Sequence, residues 1–232
     1  MRNFRILIAA MVFLAAISCK KDETLRYNNM TMGNVVEGTF ISDQGNIFNV
    51  VENPCKGDIL AAERSLVICD VLNRTKGGQS NEYDIRLNRI TDVLTKNIVA
   101  TGTEPSEELA SDDPVNIENI WLSGGYVNMY ILFPVKPGSG TIHYINLVQK
   151  ETTEEGAYVF HLQHNAQGET VADMPEEGLG MGGRYVSFPI SKIITEETAQ
   201  FEINWVCHKS TPSGFSKDTE EKTIKGTYAK GK

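Results

Sequence analysis

The chain has 232 residues, 41% of them apolar, with 22 Lys and Arg against 30 Asp and Glu and a formal charge of −8. That apolar share supports a packed core and excludes a wholly disordered chain, while the acidic balance argues against nucleic acid, whose phosphates need a Lys/Arg surface. Four cysteines are too few for a disulfide scaffold at this length, which itself allows one large domain or two small ones.

Residues 1–18 read as a secretory signal peptide. Arg2 and Arg5 form a positive head, Ile6 to Ile17 is an unbroken run of twelve apolar residues, and Ala16-Ile17-Ser18 puts small or modest residues before Cys19. Twelve is short of the roughly 20 needed to cross a bilayer. The stretch resembles a bacterial lipobox, although Ala16 stands where a branched residue is usual. The resemblance implies that Cys19 becomes the first mature residue and carries acyl chains. Each buried CH₂ adds about 0.8 kcal/mol, so several chains together hold a protein on a membrane that it does not span. Lys20, Lys21, Asp22 and Glu23 form a solvated tether. They also resemble the acidic export signal behind the lipid cysteine of Bacteroidetes surface lipoproteins. That implies an outer-membrane lipoprotein on the cell surface in preference to the periplasmic face. Loss of residues 1–18 takes Arg2 and Arg5 with it, leaving the mature chain more acidic still.

Beyond the tether (residues 19–32) apolar residues recur with period two, the mark of half-buried strands. Val35 to Ile41 leads through Ser42-Asp43-Gln44-Gly45-Asn46 into Ile47 to Val51 as a hairpin. Ser65 to Leu72 is an apolar strand with both faces partly covered. Tyr83, Ile85 and Leu87 alternate with Asp84, Arg86 and Asn88, and the pattern runs on toward Ile98. Short strands at this density predict a small barrel over 33–103, of which the oligonucleotide/oligosaccharide-binding (OB) type is one candidate. Glu104, Glu107, Glu108, Asp112 and Asp113, with Pro105 and Pro114, then read as an acidic linker over 104–114. The segment lacks the alternate-residue ligand spacing and central Gly of a calcium loop.

From 115 to 232 the strands resume. Ile117 to Leu122 and Tyr126 to Val135 flank Ser123-Gly124-Gly125, a hairpin signal. Thr141 to Val148, Tyr158 to His164, Arg184 to Ile190, Ala199 to His208 and Thr223 to Tyr228 follow, separated by Gly-rich turns. The expectation is an all-β chain, a small OB-like barrel followed by an antiparallel β-sandwich.

Motifs that carry chemistry are few. Gly178, Gly180 and Gly183 spell G-x-G-x-x-G, but a dinucleotide site needs that turn between a strand and a helix. Here Pro175 and two glutamates precede it and a strand follows, so a mobile loop is expected and no cofactor. His161 and His164 are three apart, an odd separation that puts them on opposite faces of a strand, with His164 on the Tyr158, Phe160 and Leu162 side. His143 and His208 lie on other strands. Each histidine reads as surface or half-buried, with a composite site left open. Cys69 and Cys207 read as small core residues, and a Cys55–Cys69 disulfide stays open. No G-x-S-x-G elbow marks a nucleophile, and no catalytic or metal residue is named. Glycosidase acids leave no local signature, so their chemistry stays open too. Tyr126, Tyr130, Tyr144, Trp121 and Trp205 are sugar-stacking candidates if exposed, and core packing if not.

The leader with Cys19-Lys20-Lys21-Asp22-Glu23, the run Glu63-Arg64-Ser65-Leu66-Val67-Ile68, the strand Tyr83-Asp84-Ile85-Arg86-Leu87 and the strands after Val115 together resemble the NigD-like lipoproteins of Bacteroidetes. The resemblance implies an N-terminal OB-like domain, a C-terminal β-sandwich and a proposed role in bacteriocin immunity; it transfers no functional residue. The function expected is a non-enzymatic envelope lipoprotein, held to the membrane by its lipid, that binds a protein or peptide. The alternatives are a glycan-binding accessory to outer-membrane uptake and an unrecognised hydrolase.

Overall fold

The computed structural model describes residues 31–37, 39–55, 62–103, 110–173, 178–211 and 214–231. Cys19, Lys20, Lys21, Asp22 and Glu23 lie outside the described residues.

Strands β1 (Thr31–Val36), β2 (Thr39–Ser42), β3 (Ile47–Glu52), β4 (Arg64–Arg74) and β5 (Glu82–Asp92) close into a barrel in the order β1-β2-β3-β5-β4. Alternation fills it: Val67, Cys69 and Val71 from β4 and Ile85 and Leu87 from β5 meet Phe40 and Phe48, whose rings stack at 5.9 Å. β3 and β5 pair in parallel, the closure of an OB-like Greek-key barrel. Burial, and then the charge of Asp70, push the Cys69 thiol up to about 11, which leaves it an inert core group.

The second half forms two facing four-stranded sheets from β6 (Leu94–Thr95), β7 (Asn116–Ser123), β8 (Tyr126–Val135), β9 (Tyr144–Gln149), β10 (Tyr158–Asn165), β11 (Gly180–Phe188), β12 (Thr198–Thr211) and β13 (Gly214–Ala229). One sheet runs β6-β11-β8-β7 and the other β13-β12-β10-β9. Met129, Ile131, Leu147, Phe160, Val186 and Ile203 are fully buried between them. The pairs are antiparallel except β6–β11 and β10–β12, which are parallel. The chain is therefore all-β, a barrel followed by a sandwich.

Four expectations shift in detail. The strand expected over Val35 to Ile41 is two strands, because the chain reverses at Glu37 (φ 47°) and Val36 pairs with Thr39. Thr31 and Met32, expected in the tether, are buried members of β1. The crossing between domains comes before the acidic segment: Leu94 and Thr95 already pair with β11, and Val99 bridges to Val148 of β9. Buried Val93 and Ile98 draw the chain across at that point. Residues 94–99 thus already sit on the sandwich ahead of the acidic stretch, and residues 104–109 of that stretch lie outside the described residues. Finally, Gly180 and Gly183 belong to β11 and not to a mobile loop, since a strand packed against bulky neighbours needs positions without a side chain.

The two domains meet on a buried guanidinium. Arg64, at the start of β4, is fully inaccessible, and all five of its N–H donors are used. Nη1 donates to Asn34 Oδ1 at 2.8 Å and Asp43 Oδ1 at 3.0 Å. Nη2 donates to Asp43 Oδ2 at 3.0 Å and, across the junction, to Asn128 Oδ1 at 3.1 Å. Nε donates to Ser187 Oγ at 3.3 Å, again in the sandwich. Ser123 Oγ donates to Asp43 from the other side, and the Tyr126 ring lies 3.9 Å from the guanidinium carbon. Gly124, in the β7–β8 turn at φ 59°, is where a Cβ would run into the Asp43 carboxylate. Beside this network Met32, Leu66 and Val93 pack with Trp121 and Tyr185 into a small apolar cluster shared by both domains.

Removing the cation strands a buried carboxylate. Arg64→Ala is expected to lower unfolding free energy by about 3–5 kcal/mol and to split one denaturation curve into separate barrel and sandwich transitions. Urea titration followed by tryptophan fluorescence and far-UV circular dichroism checks this. Arg64→Lys restores little, because an ammonium cannot reach five acceptors.

Candidate functional site

Next to the Arg64 network the domains part to form a cleft of about 470 Å³. The barrel contributes Leu66 and Ile68 from β4 and Arg89, Thr91 and Asp92 from β5. The sandwich contributes Tyr130 from β8 and Gly183, Arg184 and Tyr185 from β11. The strand periodicity places them. Val67, Cys69 and Val71 of β4 point into the barrel, so Leu66 and Ile68 point out, toward the sandwich. Register sets Thr91 beside Leu66 and Arg89 beside Ile68. Tyr130 and Tyr185 face each other across β8 and β11, with ring centroids 4.6 Å apart. Gly183 makes room for this pair, since a Cβ there would collide with the Tyr130 hydroxyl.

A second cluster lies at one end of the sandwich. His143 Nδ1 is 2.9 Å from His164 Nε2, His143 Nε2 is 3.2 Å from Glu169 Oε2, and His164 Nδ1 is 3.3 Å from the Pro114 carbonyl. The carbonyl only accepts, so His164 carries its proton on Nδ1 and receives one from His143 Nδ1. The ring nitrogens point at each other and not at a shared point, which makes a hydrogen-bonded chain. Among the described residues no three His, Cys, Asp or Glu side chains are placed to hold a metal. Burial, and then the His143 ring, hold His164 down at about 4. Burial alone would raise Glu169, but hydrogen bonds from Ser139, Thr141, the Lys136 N–H and His143 outweigh it and hold the carboxyl at about 2.

The remaining predicted residues scatter. His161 points away from His164 and bonds Asp112 Oδ1 at 2.7 Å, while Asp113 accepts from the Ala166 N–H, so the end of the acidic segment is docked on the sandwich. His164 and His208 are buried rather than surface or half-buried, because both lie on core-facing positions of their strands. Trp205 is buried and Trp121 packs at the domain junction, so the tryptophans form no exposed platform for sugars. Tyr126 is occupied by Arg64, Tyr144 is half-buried, and of the three tyrosines Tyr130 lines the cleft. Cys55 is exposed and unbridged, with Sγ 2.9 Å from Asn53 Oδ1, and Cys69 is free inside the barrel. Sequence reasoning missed Arg64, Arg89, Arg184 and Tyr185. For Arg64 one signal existed: a charge placed at the head of a strand that is apolar on both faces.

The family model of the NigD-like C-terminal β-sandwich domain matches residues 97–216, just over half of the chain. The chain belongs to this family. Among solved structures, the NigD-like chain is similar to a protein of unknown function from Bacteroides vulgatus, with 21% identity, TM-score 0.62, and coverage of 86% of this chain and 90% of that one. It is also similar to a NigD-like immunity protein from Bacteroides caccae, with 17% identity, TM-score 0.58, and coverage of 87% and 96%. A third, provisionally described as a lipoprotein from Bacteroides fragilis, shares 16% identity at TM-score 0.58, with coverage of 84% and 94%. At these identities the likeness speaks for the fold. No curated protein matches the NigD-like chain.

His164 and Glu169 make stability depend on pH with one sign. An unfolded histidine takes its proton near 6.5, whereas His164 stays neutral in the fold down to about 4, so stability falls as pH drops across that window. Glu169 continues the fall from 4.5 to about 2. The His164 share is on the order of 3 kcal/mol. Denaturant midpoints measured between pH 7 and pH 4 are expected to decline. In His164→Asn the protein is weaker at pH 7 but the decline is flatter.

Proposed function

We propose that this NigD-like chain is a lipid-anchored, non-enzymatic binding protein of the bacterial cell envelope, in an immunity-type role, with the inter-domain cleft as its ligand-facing surface. The cleft carries the reading. Its two walls come from different domains and are fixed to one another by the buried Arg64 network. It therefore keeps its shape without a ligand, and binding meets little ordering cost. Among the described residues the cleft presents one carboxylate, Asp92, and no imidazole, so neither paired acids nor a hydroxyl–imidazole nucleophile is assembled there.

The leader supplies the address. Cys19 carries the acyl chains that hold the protein to the outer membrane, and Lys20, Lys21, Asp22 and Glu23 direct it to the cell surface. The partners are then the membrane, through the lipid, and a protein, peptide or glycan ligand, while the net charge of −8 disfavours nucleic acid. The similarity to an immunity protein and to a provisionally described lipoprotein supports both halves of this reading.

Deleting the gene from a bacteriocin-producing strain is expected to sensitise it to its own bacteriocin, and a wild-type copy to restore protection. A Cys19→Ala copy is expected to leave the membrane fraction and to restore nothing. Unchanged sensitivity after deletion overturns the immunity role, and a Cys19→Ala protein still in the membrane overturns the anchor. Protease added to intact cells is expected to cut the wild-type protein; a protected protein places it on the periplasmic face instead.

A further inference from the structure

Arg89 and Arg184 approach the same cleft from different domains. Arg89 projects from the outer face of the barrel on β5, and Arg184 from the sandwich on β11. Both are exposed, and neither side chain hydrogen-bonds or ion-pairs with another described residue. This occurs in a chain with eight more acidic than basic side chains, where an arginine finds a carboxylate easily: Arg64 has Asp43 and Arg86 has Glu52. The same cleft is lined with aliphatic and phenolic carbon from Leu66, Ile68, Tyr130 and Tyr185. Asp92 adds one carboxylate to the lining.

We infer that the cleft binds the C-terminal end of a peptide whose last residue is apolar. Guanidinium groups take a carboxylate through paired, charge-assisted hydrogen bonds. The adjoining carbon wall takes the apolar side chain, and Asp92 accepts from a peptide N–H. A volume of about 470 Å³ holds a few residues rather than a long segment. An acidic sugar would also meet the arginines, but sugars stack on open aromatic faces. Here Tyr130 and Tyr185 turn a face each toward the other, so the pair offers an apolar wall with hydroxyl rims. The wall completed by Leu66 and Ile68 suits a branched aliphatic side chain better than a hydroxylated ring.

This inference rests on the cleft being the binding surface, and the test separates the two. The probe is an N-terminally fluorescein-labelled pentapeptide ending in Leu, offered to the full chain in detergent and followed by anisotropy, beside its C-terminal amide twin. The free acid is expected to bind, and the amide about tenfold or more weaker. Arg89→Gln and Arg184→Gln are each expected to weaken the acid about tenfold and to leave the amide unchanged. Arg86→Gln, outside the cleft, is expected to change nothing. Absence of acid binding at millimolar peptide, equal binding of acid and amide, or full affinity in the double variant overturns the inference. So does displacement of the peptide by a galacturonate oligosaccharide that binds more tightly. Ile68→Glu tests the underlying surface, because it puts a like charge in the path of the carboxylate. If cells carrying it keep full protection, the cleft itself is the wrong surface. If they lose protection while acid and amide bind the wild type alike, only the ligand assignment falls.

Discussion

A guanidinium with no access to water is the constraint around which this molecule is arranged. Desolvating a charge costs several kcal/mol, and Arg64 recovers that only by filling every donor it has. Three of its five hydrogen bonds end on the barrel, at Asn34 and twice at Asp43, and two end on the sandwich, at Asn128 and Ser187. Asp43 alone would neutralise the charge. The bonds to Asn128 and Ser187 do something else: they allow one docking angle between the domains, because any slip strands a buried donor. Ser187 Oγ in turn donates to Asn128 Oδ1 at 2.6 Å, and Asn128 donates to Ser123 at 3.1 Å. The sandwich side of the latch is thus held by hydrogen bonds of its own.

The same constraint shapes the neighbouring cleft. With the docking angle fixed, the outer face of β4 cannot be an ordinary polar barrel surface. Leu66 is covered at the junction, and Ile68, one step farther along that face, is only half-covered where the domains diverge. Partial cover explains why apolar carbon is exposed there at all. It also explains the contrast among the arginines. Arg64 lies where the domains touch and is wholly satisfied, whereas Arg89 and Arg184 lie where they part and are left open. One geometry generates both the rigid joint and the open site.

The fold was more legible than the site because the two rest on different ranges of interaction. Alternation in Tyr83, Ile85 and Leu87, or the Ser123-Gly124-Gly125 turn, is local and survives in a single sequence. The reversal at Glu37 was hidden because its flanks, Val35-Val36 and Phe40-Ile41, are apolar on both sides and read as one strand. The Gly178, Gly180, Gly183 spacing invited a loop because nothing local reveals that Tyr130 needs the space above Gly183. The double-sided apolar character of Ser65 to Leu72 was visible, and its cause was not: one face fills the barrel and the other meets a second domain. His143 and Glu169 are 26 residues apart in separate connecting segments, so no spacing could announce their contact. The contacts at the end of the acidic segment were hidden for the same reason. Composition marks a polar stretch, but it does not say that Asp112 and Asp113 close on His161 and the Ala166 N–H.

The topology also ties the cleft to the proposed anchor. β1 begins at Thr31, in register with Val67, and Met32 pairs with Leu66, so the described chain enters the fold alongside the strand that walls the cleft. From Cys19 to Thr31 is twelve residue steps, which even fully extended reach at most roughly 40 Å. A lipid on Cys19 therefore confines the cleft to a shell near the bilayer, whichever way the domains turn. An OB-like barrel ordinarily offers its own strand face to a ligand. Here the barrel gives the outer face of β4 and β5 to the sandwich and shares a smaller site with it.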